Sequence, residues 1–304
     1  MRAMGASAES GPRRRGAVRW AAWIATFAAT SLGGLLVLLA RRPRGDRDWA
    51  EEFARTTTAR FNPDGTVTLT NIRDWTYAPG RIRAKDWRDE VTVDPRAVTG
   101  VSFLLEPFSQ VPAAGHTFLS FQFADGQALA FSVEARRRRG QKYSVAKGLF
   151  RAYELAYTWG TERDFVTRRV LCLGHPLRLY PLIIDPPLTH ALFRDLAQET
   201  QVLSERPRFY NSLTENCTNA LVHIVNRHRP GTLPWGASWH LPGYADEYLM
   251  KRGFIAVDGG SVEATQARHE LGAHSPAVAA IARDPPEAFS AELRAAASSR
   301  TPGG

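Results

Sequence analysis

The chain has 304 residues, of which 44% are hydrophobic and 23% are charged, with a formal net charge of +9. These fractions are ordinary for a globular domain, and a chain with only two cysteines, Cys172 and Cys217, cannot carry a disulfide framework. The basic residues form arginine runs without interleaved aromatics, so we expect no nucleic-acid partner. Arginines next to an apolar segment indicate contact with lipid headgroups instead.

The N-terminal region contains an apolar segment between two basic flanks. Residues 20–40 hold no charged side chain, which predicts one transmembrane helix of 21 residues. A cleaved signal peptide is the alternative, but Arg41 and Arg42 follow a leucine-rich run, which favours an uncleaved anchor. With residues 1–19 as a basic cytoplasmic N-terminus, the rest of the chain is expected in the periplasm.

The remaining chain predicts an α+β domain over residues 48–255. Asp125-Gly126 predicts a hairpin turn between two strands. A short helix is predicted at 48–59, and two longer ones at 188–205 and 214–227. Extended segments are predicted at 67–72, 90–93, 98–108, 117–124, 127–133, 153–159 and 166–173. The stretch 229–243 is predicted to be a long loop, and residues 256–304, rich in Ala, Gly, Pro and Ser, a mostly disordered tail.

Cys217 is predicted at the beginning of a helix. Polar residues precede it and the apolar run 220–225 follows it. The positive end of a helix dipole lowers the pKa of a thiol, and the thiolate is the nucleophile. A buried cysteine in the first turn of the helix is the alternative. Cys172 lies in an apolar run and is predicted to be a small buried side chain of a strand.

His116 is the candidate base for this thiol. It opens a strand after a loop, where a histidine can face a cleft. In a hairpin centred on Asp125-Gly126, Glu134 lies opposite His116 and can orient the ring. The alternatives are a merely polar His116 and a Glu134 paired with Arg136 or Arg137. The histidines lack the spacing of a zinc site, so we expect no metal or other cofactor.

Several motifs, in order along residues 50–255, resemble the N-terminal periplasmic domain of the Lnb-type lipoprotein N-acyltransferases. They are Phe61-Asn62-Pro63-Asp64-Gly65-Thr66, Ile72-Arg73-Asp74-Trp75-Thr76-Tyr77, Val93-Asp94-Pro95-Arg96, Glu106-Pro107-Phe108, His116-Thr117-Phe118-Leu119-Ser120-Phe121, Ser132-Val133-Glu134-Ala135-Arg136-Arg137, Tyr210-Asn211-Ser212-Leu213-Thr214-Glu215-Asn216-Cys217-Thr218-Asn219 and Leu241-Pro242-Gly243-Tyr244. The family is similar to circularly permuted papain-like enzymes, in which histidine precedes cysteine. The resemblance implies that His116 is the base and Cys217 the nucleophile, whereas the role of Glu134 rests on the hairpin alone.

The resemblance also implies a reaction. An acyl group from a lipid ester is expected to form a thioester with Cys217 and then to pass to an amine, such as a lipoprotein N-terminus. The expected partners are membrane lipids and lipoproteins, and the expected location is the inner membrane with the catalytic domain in the periplasm. Active family members carry further membrane helices after this domain, and no second span is predicted here. A papain-like amidase or peptidase acting on cell-envelope peptides, and a non-catalytic membrane-anchored module, therefore remain as alternatives. The sequence leaves the oligomeric state open.

Overall fold

The computed structural model describes residues 12–108, 111–212, 214, 217–234 and 241–298. The chain divides into two compact units, Met1–Arg42 and Pro43–Gly304. The first unit contains helix α1 (Pro12–Ala40), which includes the predicted membrane segment. No helix among the described residues combines the length and the apolar character needed to cross a membrane, so the transmembrane prediction is not confirmed.

The second unit is built on a mixed sheet of nine strands within the described residues. The strands are β1 (Ala59–Phe61), β2 (Val67–Ala78), β3 (Arg81–Val93), β4 (Val98–Pro107), β5 (Gly115–Phe123), β6 (Ala128–Arg136), β7 (Glu154–Thr161), β8 (Leu177–Pro181) and β9 (Glu270–Leu271). Their order is β1-β2-β7-β6-β5-β4-β8-β9, with β3 paired to β2. All described pairings are antiparallel except the contact of β2 with β7. The sheet and its helices confirm the predicted α+β class.

The helices of the second unit come after β6, between the later strands and beyond them. They are α2 (Val145–Leu149), α3 (Glu162–Thr167), α4 (Pro186–Glu205), α5 (Cys217–His228), α6 (Ala245–Lys251), α7 (Val262–His269), α8 (Pro276–Ile281) and α9 (Pro286–Ser298). A π-helical turn, Arg168–Leu173, continues α3. Short 3-10 turns occur at Glu51–Phe53, Pro95–Ala97 and Pro242–Tyr244. Only the first of these lies in the predicted helix at 48–59, so that prediction was too long.

Both faces of the central strands are covered. Alternation along β4 sends Phe103 and Leu105 to one hydrophobic cluster and Leu104 to the other. The first cluster includes side chains of α4 and α5. The second includes side chains of α3, the π-helical turn, α8 and α9. The sheet therefore presents each of its central residues to one of two different cores.

The prediction of a strand at 166–173 was wrong. The hydroxyl of Thr161 accepts a hydrogen bond from the backbone N–H of Asp164 and caps the first turn of α3. Phe165, Val166 and Val170 are all buried, at the spacing of a helix face. A short helix that is buried almost all round has the apolar composition of a strand, and this misled the prediction.

The prediction of a disordered tail was also wrong for residues 256–298. The chain there forms α7, β9, α8 and α9, and Phe289 and Leu293 are fully buried. Alanine makes up much of these helices, so their apolar periodicity is weak in the sequence. Two large side chains at i and i+4 are enough to attach α9 to the core.

An ion pair between Arg73 of β2 and Asp164 of α3 is buried. The side chains are 2% and 0% exposed, and the shortest nitrogen–oxygen distance is 2.9 Å. Arg73 donates from two guanidinium nitrogens, and the backbone N–H of Trp75 donates to the same carboxylate at 2.8 Å. This pair joins β2 to the beginning of α3, because the carboxylate satisfies donors from two parts of β2.

Replacement of Asp164 by Ala should destabilise the protein by about 3–5 kcal/mol, because it leaves the Arg73 cation buried without a counter-charge. Denaturant unfolding followed by circular dichroism measures this loss. The matched control is Asp89→Ala, which breaks an ion pair between Asp89, 88% exposed, and Arg55. That control should change stability by about 1 kcal/mol at most. Equal losses in the free energy of unfolding of the two variants would contradict the conclusion that the Arg73–Asp164 pair stabilises the fold.

Candidate active site

His116 stands near the beginning of β5, with its ring directed to neighbours on β6. Its Nε2 lies 2.9 Å from Oγ of Ser132 and 3.2 Å from Oε1 of Glu134. Ser132 donates its own hydroxyl proton to the same carboxylate oxygen at 2.9 Å. The ladder of β5 with β6, from Leu119 opposite Phe131 to Gln122 opposite Ala128, has the register expected for a hairpin centred on residue 125. The predicted proximity of His116 and Glu134 is therefore confirmed.

The alternative partners of Glu134 are engaged elsewhere. Arg136 donates two hydrogen bonds to the backbone carbonyl of Phe53, and its guanidinium lies 4.0 Å from the ring centroid of Trp49. Arg137 pairs with Glu52 at 2.7 Å. Because consecutive side chains of a strand point to opposite faces, residues 136 and 137 could not both have served Glu134.

The contacts at Nε2 decide which ring nitrogen can act as a base. Burial alone would raise the pKa of Glu134, but the charge and hydrogen bond of His116, together with Arg169, hold it well below its usual range. Glu134 is thus a carboxylate, which can only accept a hydrogen bond, so Nε2 has to be the donor. The neutral ring then carries its proton on Nε2, and Nδ1 is the nitrogen with a lone pair.

Arg169 is a buried cation that sequence analysis missed. Its side chain is 2% exposed, and its Nε donates to Oε2 of Glu106 at 3.0 Å. A second guanidinium nitrogen lies 3.8 Å from Glu134, and the guanidinium stacks 4.2 Å from the ring centroid of Phe118. Burial lowers the pKa of Arg169, and the two carboxylates oppose that effect. Arg169 follows Phe165 by four residues, which puts both on one face of a helix. This spacing indicates that Arg169 is buried only when the segment is known to be helical.

Glu106 connects the cation to a second histidine. It lies opposite His116 in the β4–β5 ladder, and its Oε1 is 2.5 Å from Nδ1 of His175. Burial would raise the pKa of Glu106, but the hydrogen bond of His175 and the charge of Arg169 lower it to about 2. The hydrogen bond with Glu106 in turn raises the pKa of His175. Arg169 therefore lies between two carboxylates, Glu134 beside His116 and Glu106 beside His175, and the side chain of His175 is 45% exposed.

The low pKa of Glu106 predicts a loss of stability in acid. A carboxyl group whose pKa is depressed by folding stabilises the protein above its unfolded value, near 4.5, and this contribution disappears as the pH falls towards 2. We expect Glu106 to account for at most about 3 kcal/mol of the decline in the free energy of unfolding over this range.

Urea titrations at a series of pH values would measure this decline. Glu106→Gln should remove that part of the slope, whereas the exposed control Glu292→Gln should retain it. Glu134 contributes with the same sign, so some dependence on pH remains in the first variant. A Glu106→Gln variant with the full slope of the unmodified protein would refute the assignment.

Cys217 is the first residue of α5, as predicted. The structure describes its backbone, whereas its side chain and residues 215–216 lie outside the described part. Thr218 follows it, and its Oγ1 lies 3.5 Å from Oγ1 of Thr117, the residue after His116. The backbone positions of Cys217 and His116 are therefore each one residue from a direct contact between α5 and β5.

The sheet restricts how the thiol and the imidazole can meet. Thr117 faces the core that holds α5, and His116 faces the opposite core, because consecutive side chains of a strand alternate. A meeting of the two groups must then occur around the end of β5. Gly115 stands at this end, and a Cβ there would lie 3.1 Å from the carbonyl oxygen of Glu106 and 3.4 Å from Cα of Gly243.

Two chain segments meet beside this end of β5. The backbone N–H of Gly243 donates to the carbonyl of Ala113 at 3.1 Å. A Cβ on Gly243 would lie 2.0 Å from the carbonyl oxygen of Pro112, which is far inside contact distance. The glycine of the Leu241-Pro242-Gly243-Tyr244 motif is therefore required by the close approach of two backbones.

Gly243→Ala should separate these segments and cost about 1–3 kcal/mol, the usual range for an overpacked site. Thermal unfolding measures the cost, and alkylation of Cys217 in the folded state reports whether the nearby cleft changes. Gly272→Ala is the control, because a Cβ at Gly272 meets nothing within 4 Å. Two variants that both behave like the unmodified protein would show that the backbones have room to separate.

Cys172 lies in the π-helical turn and not in a strand as predicted. Its thiol is free, and the residue is partly exposed. Burial raises the pKa of this thiol, so Cys172 has the opposite of thiolate activation. Within the described ranges, no group of three or more His, Cys, Asp or Glu side chains has the arrangement of a metal site.

Comparison with known protein families finds a match. The model of a family described as "Lnb N-terminal periplasmic domain" matches residues 83–241, a stretch that contains His116, Glu134 and Cys217. Neither the curated proteins nor the solved structures contain a significant match to this chain.

Proposed function

The chain belongs to the Lnb N-terminal periplasmic domain family, and from this membership and the site around His116 we propose that it is a cysteine-dependent acyltransferase. Cys217 is the nucleophile, His116 the base and Glu134 the group that orients the base. The donor is a lipid ester and the acceptor an amine, with a lipoprotein N-terminus as the candidate acceptor.

The observation that carries the proposal is the engagement of His116 through Nε2. Glu134 and Ser132 contact this nitrogen, which assigns the role of base to Nδ1, and Cys217 is the first residue of α5, whose next residue contacts the strand that bears His116. A nucleophile, a base and a group that holds the base form the minimal set for covalent acyl transfer. The helix beginning with cysteine, packed on a sheet that bears the histidine, also supports the permuted papain-like arrangement.

The proposed reaction has two halves. In the first, Nδ1 of His116 takes the thiol proton, the sulfur attacks the ester carbonyl, and the carbon–oxygen bond breaks. The imidazolium returns its proton to the departing alkoxide, which leaves an acyl-thioester on Cys217. In the second half, an amine attacks the thioester, an amide forms, and the amine proton passes through His116 back to the sulfur. Glu134 stabilises the imidazolium that forms in each half.

The location that fits this reaction is the periplasmic side of the inner membrane. The family description supports a periplasmic domain. In α1, Trp20, Trp23 and Phe27 are between 69% and 75% exposed, so this helix offers apolar side chains to a membrane. Extraction of membranes with alkaline carbonate separates a helix that is held in the bilayer from one that is not.

Incubation with a lipid ester that carries a labelled acyl chain should add the acyl mass to the peptide containing Cys217. Hydroxylamine should remove the label, because it cleaves thioesters. His116→Ala should slow labelling by about 10²–10⁴-fold, the usual contribution of a general base. Glu134→Gln should slow it less, because the ring and Nδ1 remain. The matched control for Cys217→Ala is Cys172→Ser, which should label normally.

The same experiment separates the alternatives. If a lipopeptide with a free N-terminal amine is added and becomes acylated as an amide, the transferase is supported. If free fatty acid is released although this lipopeptide is present, the result indicates a hydrolase. Labelling by peptide esters alone indicates an amidase or peptidase. If no ester labels Cys217 at neutral pH, both enzyme assignments fail and the non-catalytic module is favoured.

A further inference from the structure

An exposed apolar surface surrounds the short helix α2. Tyr143, Val145, Leu149 and Phe150 are 41%, 57%, 38% and 59% exposed. Large apolar side chains are often exposed singly, but four within eight residues form a patch that needs a reason. We call the surface formed by residues 142–150 the α2 patch.

The charged residues of the α2 patch itself are lysines, and the nearby Arg137 and Arg139 pair with Glu52 and Asp48. Between Ala135 and Tyr153 the sequence contains seven Lys or Arg residues and no Asp or Glu. Lys142 and Lys147 are exposed within the patch, and Arg138 is exposed beside it. Exposed apolar side chains, a tyrosine and lysines on one short segment are the composition of a surface that enters the headgroup region of an anionic bilayer.

The α2 patch is attached to the chain segment that leads to the nucleophile. Ser212 donates its hydroxyl proton to the carbonyl of Val145 at 2.9 Å, and the hydroxyls of Tyr143 and Tyr210 lie 3.4 Å apart. A Cβ on Gly148 would lie 2.1 Å from Oγ of Ser212, so the helix is seated closely on this segment. Five residues after Ser212, α5 begins with Cys217.

We propose that the α2 patch docks the domain onto the surface of a bilayer that contains anionic lipids, with Phe150, Leu149 and Val145 entering the headgroup region. The basic residues contact the headgroups, and the docked helix brings residues 210–212 to the lipid surface. The bilayer itself would then supply the ester substrate, an inference that rests on the proposed function. The docking proposal does not depend on that function.

The test uses the whole chain. Because α1 offers a second apolar surface, the measurement has to report on the α2 patch alone. In a background with Cys172→Ser and Cys217→Ala, a single cysteine at Val145 or Phe150 carries an environment-sensitive dye. The matched control is Val257→Cys, since Val257 is also apolar and is 50% exposed. Vesicles of phosphatidylethanolamine and phosphatidylglycerol are compared with vesicles of phosphatidylcholine alone.

We expect the dye emission at residues 145 and 150 to shift to shorter wavelength with the anionic vesicles, and the emission at residue 257 to stay unchanged. Lys142→Glu and Lys147→Glu should each weaken the response about fivefold or more, the effect of about one lipid-bound charge. No shift at residues 145 and 150 with anionic vesicles, or equal shifts at residue 257, would overturn the proposal. So would a shift caused by an acidic polypeptide and not by vesicles, which would indicate a protein partner.

The background lacks Cys217, so this result is independent of acyl transfer. If the dye emission shifts but the unmodified chain forms no thioester, the docking proposal is supported and the acyltransferase proposal is refuted. If the dye emission does not shift, and the unmodified chain and Lys142→Glu form the thioester equally well with the anionic vesicles, only the docking proposal is refuted.

Discussion

The buried guanidinium of Arg169 is the constraint on which the site depends. A cation that is 2% exposed costs several kcal/mol unless carboxylates surround it. Glu106 and Glu134 supply that charge from β4 and β6, on either side of the strand that bears His116. A shift of either strand by one residue would turn its carboxylate to the other face of the sheet. The cation therefore favours one register for the two strands on either side of the strand that carries the proposed base.

The same arrangement explains how Glu134 can serve His116. A carboxylate beside an imidazole in a buried site could take up the proton itself, and would then lose its ability to hold Nε2–H as an acceptor. The positive charge of Arg169, 3.8 Å away, favours the ionised form of Glu134. Ser132 adds a hydrogen bond to the same oxygen. The proposed base is thus oriented by a carboxylate that Arg169 keeps in its ionised form.

The features that the sequence could predict are local. The hairpin register follows from one Asp-Gly turn, which is why Glu134 could be placed beside His116, and the helix beginning at Cys217 follows from a polar-to-apolar boundary. Arg169 and Glu106 are 63 residues apart, and no periodicity relates them. A cation in a buried helical turn has no distinguishing pattern until the helix is known. The α-helices after residue 256 were missed because alanine gives them almost no apolar contrast.

The π-helical turn at Arg168–Leu173 has a consequence for variation in chain length. A π turn holds one residue more than an α turn, so adjacent side chains can be directed differently from those of a regular helix. Here Arg168 approaches Glu52 at 3.7 Å, while Arg169 turns into the core. A single-residue deletion that turned this segment into a regular α turn would remove the extra residue and change the directions of Arg168 and Arg169. The number of residues between Thr161 and Gly174 therefore matters to the site, because Arg169 has to reach Glu106 from this turn.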